Sequence, residues 1–394
     1  MKIKAPLVYS DGQQWHNQVL HLREGWIERI EPASPHVPYD AILPEGSVLL
    51  PGLIDLHIHG ANGADVMDAS PEALKTISQT LAQDGVTGFL ATTMTESAAR
   101  IEAAIDNSVA CQTQQIDQAG AQILGLHLEG PFLSQTFMGA QCPDYFLEPN
   151  ADLLTAWQTR ASGTIKLLTL APELPHALQL IDQAKALDIV TSIGHTAATY
   201  QETAAAVTRG ARHATHLFNA MSGLHHRTPG AAAALLMDDR VTAELIADGL
   251  HIAPEMVYFA LRCKGLDRVV LVSDAMHAKC LKNGEYTFGG QTIILQDQAV
   301  RLKKNGALAG STLCLNQALY NAHAYSGYPL EKLVPLVTSI PARILKLDHL
   351  LGAIRPGLKA NLTVLNQADG AVLHTLREGR SVYKNPALDA SLAG

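Results

Sequence analysis

This sequence predicts an α/β fold, a (β/α)8 TIM-type barrel joined to a small β-sandwich domain built from both termini, and three observations predict it. First, after residue 48 short apolar segments alternate with longer helix-like stretches, and eight such segments can be counted: 49–58, 87–93, 122–129, 165–171, 189–194, 211–216, 241–247 and 268–273. Alternation of that kind is the pattern of a parallel sheet wrapped by helices. Second, residues able to bind metal stand at the C-terminal ends of several segments, the end at which barrels of this kind carry their active sites. Third, the flanks differ, because residues 1–47 and 360–383 hold short strand-like pieces (18–22, 361–365, 372–374) separated by turn residues. The chain has 394 residues, beyond the size at which one hydrophobic core usually stops growing. The expected division is a β domain from 1–48 with 351–394 and a barrel from 49–350.

The first segment ends in Asp55-Leu56-His57-Ile58-His59. Alternate side chains of a strand share a face, so Asp55, His57 and His59 point the same way and two imidazoles stand side by side. Ser70-Pro71-Glu72 then reads as a helix start, an N-cap followed by proline at the first helical position. Leu74, Ile77 and Leu81 recur at helical spacing, and Gly85 ends the helix. The second segment closes on Thr92-Thr93, the third on Glu129, and Glu173 follows the fourth. His195 comes directly after the fifth, His216 follows Ala214-Thr215 in the sixth, and Asp274 follows the eighth. Beyond it, residues 283–305 predict a β-hairpin insertion that could join the small sheet.

Any one of these polar residues alone reads as a hydrogen-bonded cap at a strand end. His57, His59, Glu129, His195, His216 and Asp274 together, on one barrel face, read as a metal centre, because two imidazoles rarely suffice and carboxylates or further histidines complete the ligand set. Imidazole and carboxylate donors suit Zn2+ or Fe2+. A bridging Glu129 allows one ion or two, with His57, His59 and Asp274 on one side and His195 and His216 on the other. A divalent ion with an open position acidifies water and polarises a carbonyl or phosphoryl oxygen, so the chemistry is hydrolytic, and Asp274 is the carboxylate placed to move the proton. After the sixth strand, the stretch from Asn219 to Gly230 offers an asparagine, amides near glycine, and the Arg227 guanidinium, a set that suits a phosphate monoester.

Composition narrows the remaining classes. The apolar fraction is 47% and the formal charge is −8, which fits an ordinary globular protein and argues against nonspecific nucleic-acid binding. The N-terminal stretch is polar, with no run long enough for a signal peptide or a membrane span. Cys111, Cys142, Cys263, Cys280 and Cys314 are an odd, widely spaced set, as expected of reduced thiols and a cytoplasmic protein.

Seven motifs then carry a resemblance: His57-Ile58-His59-Gly60, the stretch from Gly125 to Pro131, Gly194-His195-Thr196, the stretch from Thr215 to Met221, the stretch from Ile246 to His251, Ser273-Asp274-Ala275, and Leu308-Ala309-Gly310-Ser311. In this order the sequence resembles the N-acetylglucosamine-6-phosphate deacetylases of the amidohydrolase superfamily. The resemblance implies a barrel of the amidohydrolase kind, usually a homodimer, that removes acetate from an N-acetylated hexosamine 6-phosphate in amino-sugar catabolism. It also implies that Glu129, His195 and His216 are the principal metal ligands, that His57 and His59 serve a second ion, and that Asp274 is the acid/base. His251 is implied to bind substrate near the amide carbonyl and to stabilise the oxyanion. Asn219, Ala220, His226 and Arg227 are implied to face the sugar phosphate, with Arg227 reaching the neighbouring subunit's site. Ala140 and Gln141 are implied to lie at the substrate, and Leu308, Ala309, Gly310 and Ser311 to line the sugar. Gln141 stands where some relatives have histidine, and an amide cannot transfer a proton as an imidazole does. The fourth strand ends without a lysine, Lys166 lying at its start, which counts against a cyclic amidase with a bridging carboxylated lysine. Two rivals stand beside this reading: the same chemistry on N-acetyl-D-galactosamine 6-phosphate, the C4 epimer, and a catalytically inactive scaffold or regulatory binding protein.

Overall fold

The computed structural model describes residues 1–34, 37–114 and 120–386. Its barrel strands are β1 (Leu53–Ile58), β2 (Val86–Thr93), β3 (Gln122–Glu129), β4 (Ile165–Leu170), β5 (Val190–Ile193), β6 (His213–Ala214), β7 (Thr242–Leu245) and β8 (Val269–Leu271). They pair in sequence order from β1 to β8. The ring closes where the Asp274 N–H donates to the His57 carbonyl at 2.9 Å and Ile58 bridges Ala275 in parallel. The predicted first helix is α1 (Pro71–Gln83), capped by Ser70, whose hydroxyl accepts from the Ala73 N–H. It buries Leu74, Ile77 and Leu81 against the barrel core.

Two strand expectations change. The segment 49–58 is not one strand, because Ser47–Pro51 pairs antiparallel with Leu362–Asn366 in the terminal sheet while Leu53–Ile58 enters the barrel. Gly52 is the joint, and a Cβ there would lie 2.1 Å from Thr87 Oγ1, so only glycine lets the two sheets approach this closely. The segment 211–216 pairs only at His213–Ala214, since the chain leaves the ladder to turn His216 into left-handed backbone at φ 30°.

Both termini build one eight-stranded sheet. It closes on its own core, which includes Ile3, Val8, Leu20, Ile27, Leu49 and Leu362. Residues 283–305 form a three-stranded antiparallel meander, Gly284–Phe288, Gln291–Gln296 and Ala299–Leu302. It makes a sheet of its own and does not join the terminal one. Among the described residues no helix is long and apolar enough to cross a membrane.

Candidate metal centre

β1, β3, β5 and β6 end at one mouth of the barrel and deliver four imidazoles around one carboxylate. Glu129 Oε1 lies 3.1 Å from His216 Nε2 and 3.2 Å from His195 Nε2, and those two nitrogens are 3.1 Å apart. On the other side, His59 Nε2 is 3.3 Å from Glu129 Oε2 and 3.4 Å from Asp274 Oδ1. His57 Nε2 lies 3.3 Å from His59 Nε2 and 3.5 Å from both Glu129 Oε1 and Asp274 Oδ1. Glu129 thus divides the cluster into a His57/His59 half and a His195/His216 half.

The donor set fits a divalent ion. Ligands held tetrahedrally at about 2.0–2.2 Å from zinc sit roughly 3.3 Å from one another, which is the spacing found here. Ring nitrogens that face each other across 3.1 Å and 3.3 Å suit a shared cation better than a bond between themselves. Electrostatics agree. Burial works against a charged His57, but Asp274, Glu244 and Glu129 raise its pKa to about 9. Burial also opposes charge on His59, and hydrogen bonds to Asp274 and Glu129 hold its pKa well above the ordinary value. Burial pushes Glu129 up, yet the positive His57 and bonds from His195, His216 and His59 hold it well below the usual carboxylate range. The carboxylates thus favour positive charge in this pocket, as a bound cation would supply.

The surroundings orient these rings. His195 Nδ1–H donates to the Phe137 carbonyl at 2.9 Å. His57 Nδ1–H donates to Glu244 at 3.0 Å. Gln141 clamps Glu129, donating to Oε2 at 2.6 Å while its own carbonyl accepts from the Thr95 N–H at 2.8 Å. Glu173 accepts from the Thr196 hydroxyl and the Ala197 N–H, which pins the turn after His195.

Above the cluster lies a cavity of 340 Å³. Of the residues singled out in the sequence, His59, Glu129, Ala140, Gln141, His195, His216, Asn219, Ala220, His251, Asp274, Leu308 and Gly310 line it. His57 lies beneath, fully buried. Two expectations fail: Ala309 is fully buried, and Ser311 points away, its hydroxyl donating to the Ser273 carbonyl at 2.5 Å. His226 and Arg227 sit on an exposed loop outside this chain's own cavity, with Arg227 Nη1 2.6 Å from His226 Nε2. Among the described residues, no lysine or arginine lines the cavity.

Sequence reasoning missed several contributors. Phe137 and Phe288 line the cavity; one ends a single 3-10 turn and the other the first strand of the meander, and an aromatic side chain in either place carries no chemical signal to mark it. Asp248 accepts from His251 Nδ1–H at 2.7 Å and from the His251 N–H at 2.8 Å. Burial pushes this carboxylate up, but its bonds from His251 hold it below the ordinary range. The spacing of Asp248 and His251 within one turn was the available signal. Beneath the cluster, His127, His213 and Glu244 are fully buried. Glu244 was legible as a lone carboxylate inside the apolar run 241–247.

A barrel of this topology with this donor set defines a metal-dependent hydrolase. Residues 48–382 match the amidohydrolase family, and the chain belongs to it. It is similar to the N-acetylglucosamine-6-phosphate deacetylase of Bacillus subtilis (strain 168), 35% identical over 390 residues that cover 98% of each chain. It is also similar to the N-acetylgalactosamine-6-phosphate deacetylase of Escherichia coli O157:H7, 36% identical over 347 residues, 88% of this chain and 90% of that one. Among solved structures, a mutant N-acetyl-D-glucosamine-6-phosphate deacetylase from Mycobacterium smegmatis, in complex with N-acetyl-D-glucosamine-6-phosphate, superposes with a TM-score of 0.92. It is 30% identical, and the match covers 98% of this chain and 99% of that one.

Proposed function

We propose that this protein hydrolyses N-acetyl-D-glucosamine 6-phosphate to D-glucosamine 6-phosphate and acetate in amino-sugar catabolism. The observation that carries the reading is the cavity, which places the Glu129, His195 and His216 donors, the Asp274 carboxylate and the His251 ring around one space large enough for a sugar. A divalent ion held by Glu129, His195 and His216, with a second position at His57 and His59, would polarise the acetamide carbonyl and acidify the attacking water. Zn2+ or Fe2+ suits these donors.

Asp274 takes the proton from water and returns it to the departing amine, the double duty of a carboxylate at a hydrolytic centre. His251, its Nδ1 engaged by Asp248, has Nε2 left to face the carbonyl oxygen, where an N–H would stabilise the oxyanion. Asn219, Ala220, Ala140, Leu308 and Gly310 position the sugar. Because no lysine or arginine lines the cavity among the described residues, Arg227 with His226 is assigned to the phosphate of a neighbouring subunit in a homodimer, where a guanidinium fork suits a phosphate. Five free cysteines and a sugar phosphate substrate support a cytoplasmic setting.

The test is acetate release by metal-analysed protein from N-acetylglucosamine 6-phosphate, its galacto epimer, and unphosphorylated N-acetylglucosamine. Preference for the first is expected. The second reading, the galacto epimer, is favoured by the similar identity to the Escherichia coli enzyme, and faster hydrolysis of that epimer would replace the first. An inactive scaffold is disfavoured because the donor cluster is complete, and silence on all three substrates with metal bound would sink the assignment.

A further inference from the structure

Below the donor cluster the barrel interior is polar, which is unusual for a core normally filled by branched apolar side chains. Glu244, in the middle of β7, is fully buried and makes three bonds there. Its Oε2 lies 3.0 Å from His57 Nδ1 and accepts the His216 backbone N–H at 3.0 Å, and its Oε1 lies 3.0 Å from His213 Nε2. An ionised carboxylate has no proton to give, so both imidazoles donate to it. The proton of a neutral His57 therefore sits on Nδ1, and its Nε2 lone pair faces His59, Glu129 and Asp274. His213 is fixed in the opposite sense, its Nδ1 having no partner among the described residues.

Each half of the cluster has one ring held by an outer hydrogen bond and one whose Nδ1 is buried without a partner among the described residues. In the His195/His216 half, the Phe137 carbonyl orients His195, and His216 is held through its backbone N–H rather than through Nδ1. In the other half, His59 Nδ1 is buried without a partner, so the bond to Glu244 is the one outer hydrogen bond from a ring nitrogen there among the described residues. The same carboxylate holds the backbone N–H of His216, whose left-handed φ of 30° carries that ring toward Glu129. One side chain is bonded to a residue of each half.

We propose that Glu244 is a positioning residue that commits His57 to coordinate through Nε2, and so builds the metal position of the His57/His59 half, while tying it to the His195/His216 half through the backbone of His216. The inference rests on the reading of the cluster as a metal centre. Glu244 touches no substrate, and its effect is carried through His57 and His216. Loss of a group in that role typically lowers metal affinity about 10–100-fold.

The experiment is a Co2+ titration of metal-stripped protein, followed by its visible absorption spectrum, in wild type and in Glu244→Gln, with circular dichroism on both. The glutamine keeps the shape but donates as well as accepts, so it no longer forces the proton onto His57 Nδ1. Expected is a folded variant in which the His57/His59 ion binds about 10–100-fold more weakly, with a smaller change at the other position. Wild-type affinity at both positions in a folded variant would overturn the inference, whereas failure of wild type to bind any ion would overturn the metal reading itself. Should Glu244→Gln not fold, the ring 15N shifts of His57 in stripped wild-type protein at high pH decide the matter. A neutral ring protonated on Nδ1 supports the role, and one protonated on Nε2 excludes it.

Discussion

His195, His216 and Asp274 occupy left-handed backbone, at φ 48°, 30° and 47°. For residues with a Cβ such geometry costs on the order of 1–3 kcal/mol each and persists only where the surroundings over-determine it. Asp274 is held from both sides, its N–H donating to the His57 carbonyl and its carbonyl accepting from the Ser311 N–H at 2.7 Å. That gives the buried Ser311 a task in the backbone rather than at the sugar. Asparagine tolerates left-handed backbone better than most residues, so Asp274→Asn should keep the fold while removing the carboxylate proposed to move the proton. Its kcat/KM is expected to fall about 10²–10⁴-fold with little change in Tm, and wild-type turnover would remove Asp274 from the chemistry. Gln141→Leu tests a different contribution. The amide clamps Glu129 Oε2 and does not titrate, so metal affinity should fall about tenfold or more while the pH profile of kcat keeps its shape. A displaced profile would assign Gln141 a part in proton movement that its chemistry forbids.

At the scale of elements, the joint between β1 and the preceding strand is the most constrained link. An alanine methyl at position 52 would meet Thr87 Oγ1, Cγ2 and Cβ at 2.1, 2.4 and 2.7 Å, and Thr87 is buried and β-branched, so its side chain is stiff at χ1. Gly52→Ala is therefore expected to destabilise by about 1–3 kcal/mol, the usual cost of overpacking, read as a lower unfolding midpoint with the number of bound ions unchanged. The meander after β8 acts on the cavity instead, because its Phe288 ring lies 6.2 Å from the His59 ring. The barrel strands and their terminal ligands were legible because each is a local pattern: an apolar run, then a polar residue at its end. The break at Gly52 was not, since both flanking strands are fully buried and read as one continuous apolar run. Nor was the separation of Ala309 and Ser311 from Leu308 and Gly310, because alternate residues of that segment face opposite ways and the sequence does not mark which pair faces the cavity. Arg227 shows the same limit at longer range, since position in the chain beside Asn219 does not bring its side chain into the same cavity.

For the whole molecule, the donor cluster couples stability to pH in opposite ways with and without metal. In the stripped protein His57 has its pKa raised to about 9, and those of His59 and His216 are raised as well, against an unfolded value of about 6.5. Groups raised on folding stabilise fully below the unfolded pKa, and that contribution is lost as pH climbs through the folded one. The stripped protein should therefore lose stability between about pH 6.5 and 9. His127, whose pKa burial and the charge of His57 push well below the ordinary value, acts on the acid side of that window. Lys264, lowered to about 8 by burial, gains stability as pH rises above 8, but it does so equally in stripped and loaded protein. In the loaded protein the ion replaces the ring protons, so the loss disappears and binding strengthens as proton competition fades. The gap in Tm between loaded and chelator-stripped protein should then widen steadily from pH 6.5 to 9, as scanning calorimetry of both forms at matched ionic strength would show. A constant gap would mean that His57 and His59 carry no protons for an ion to displace, and would move the metal out of that half of the cluster.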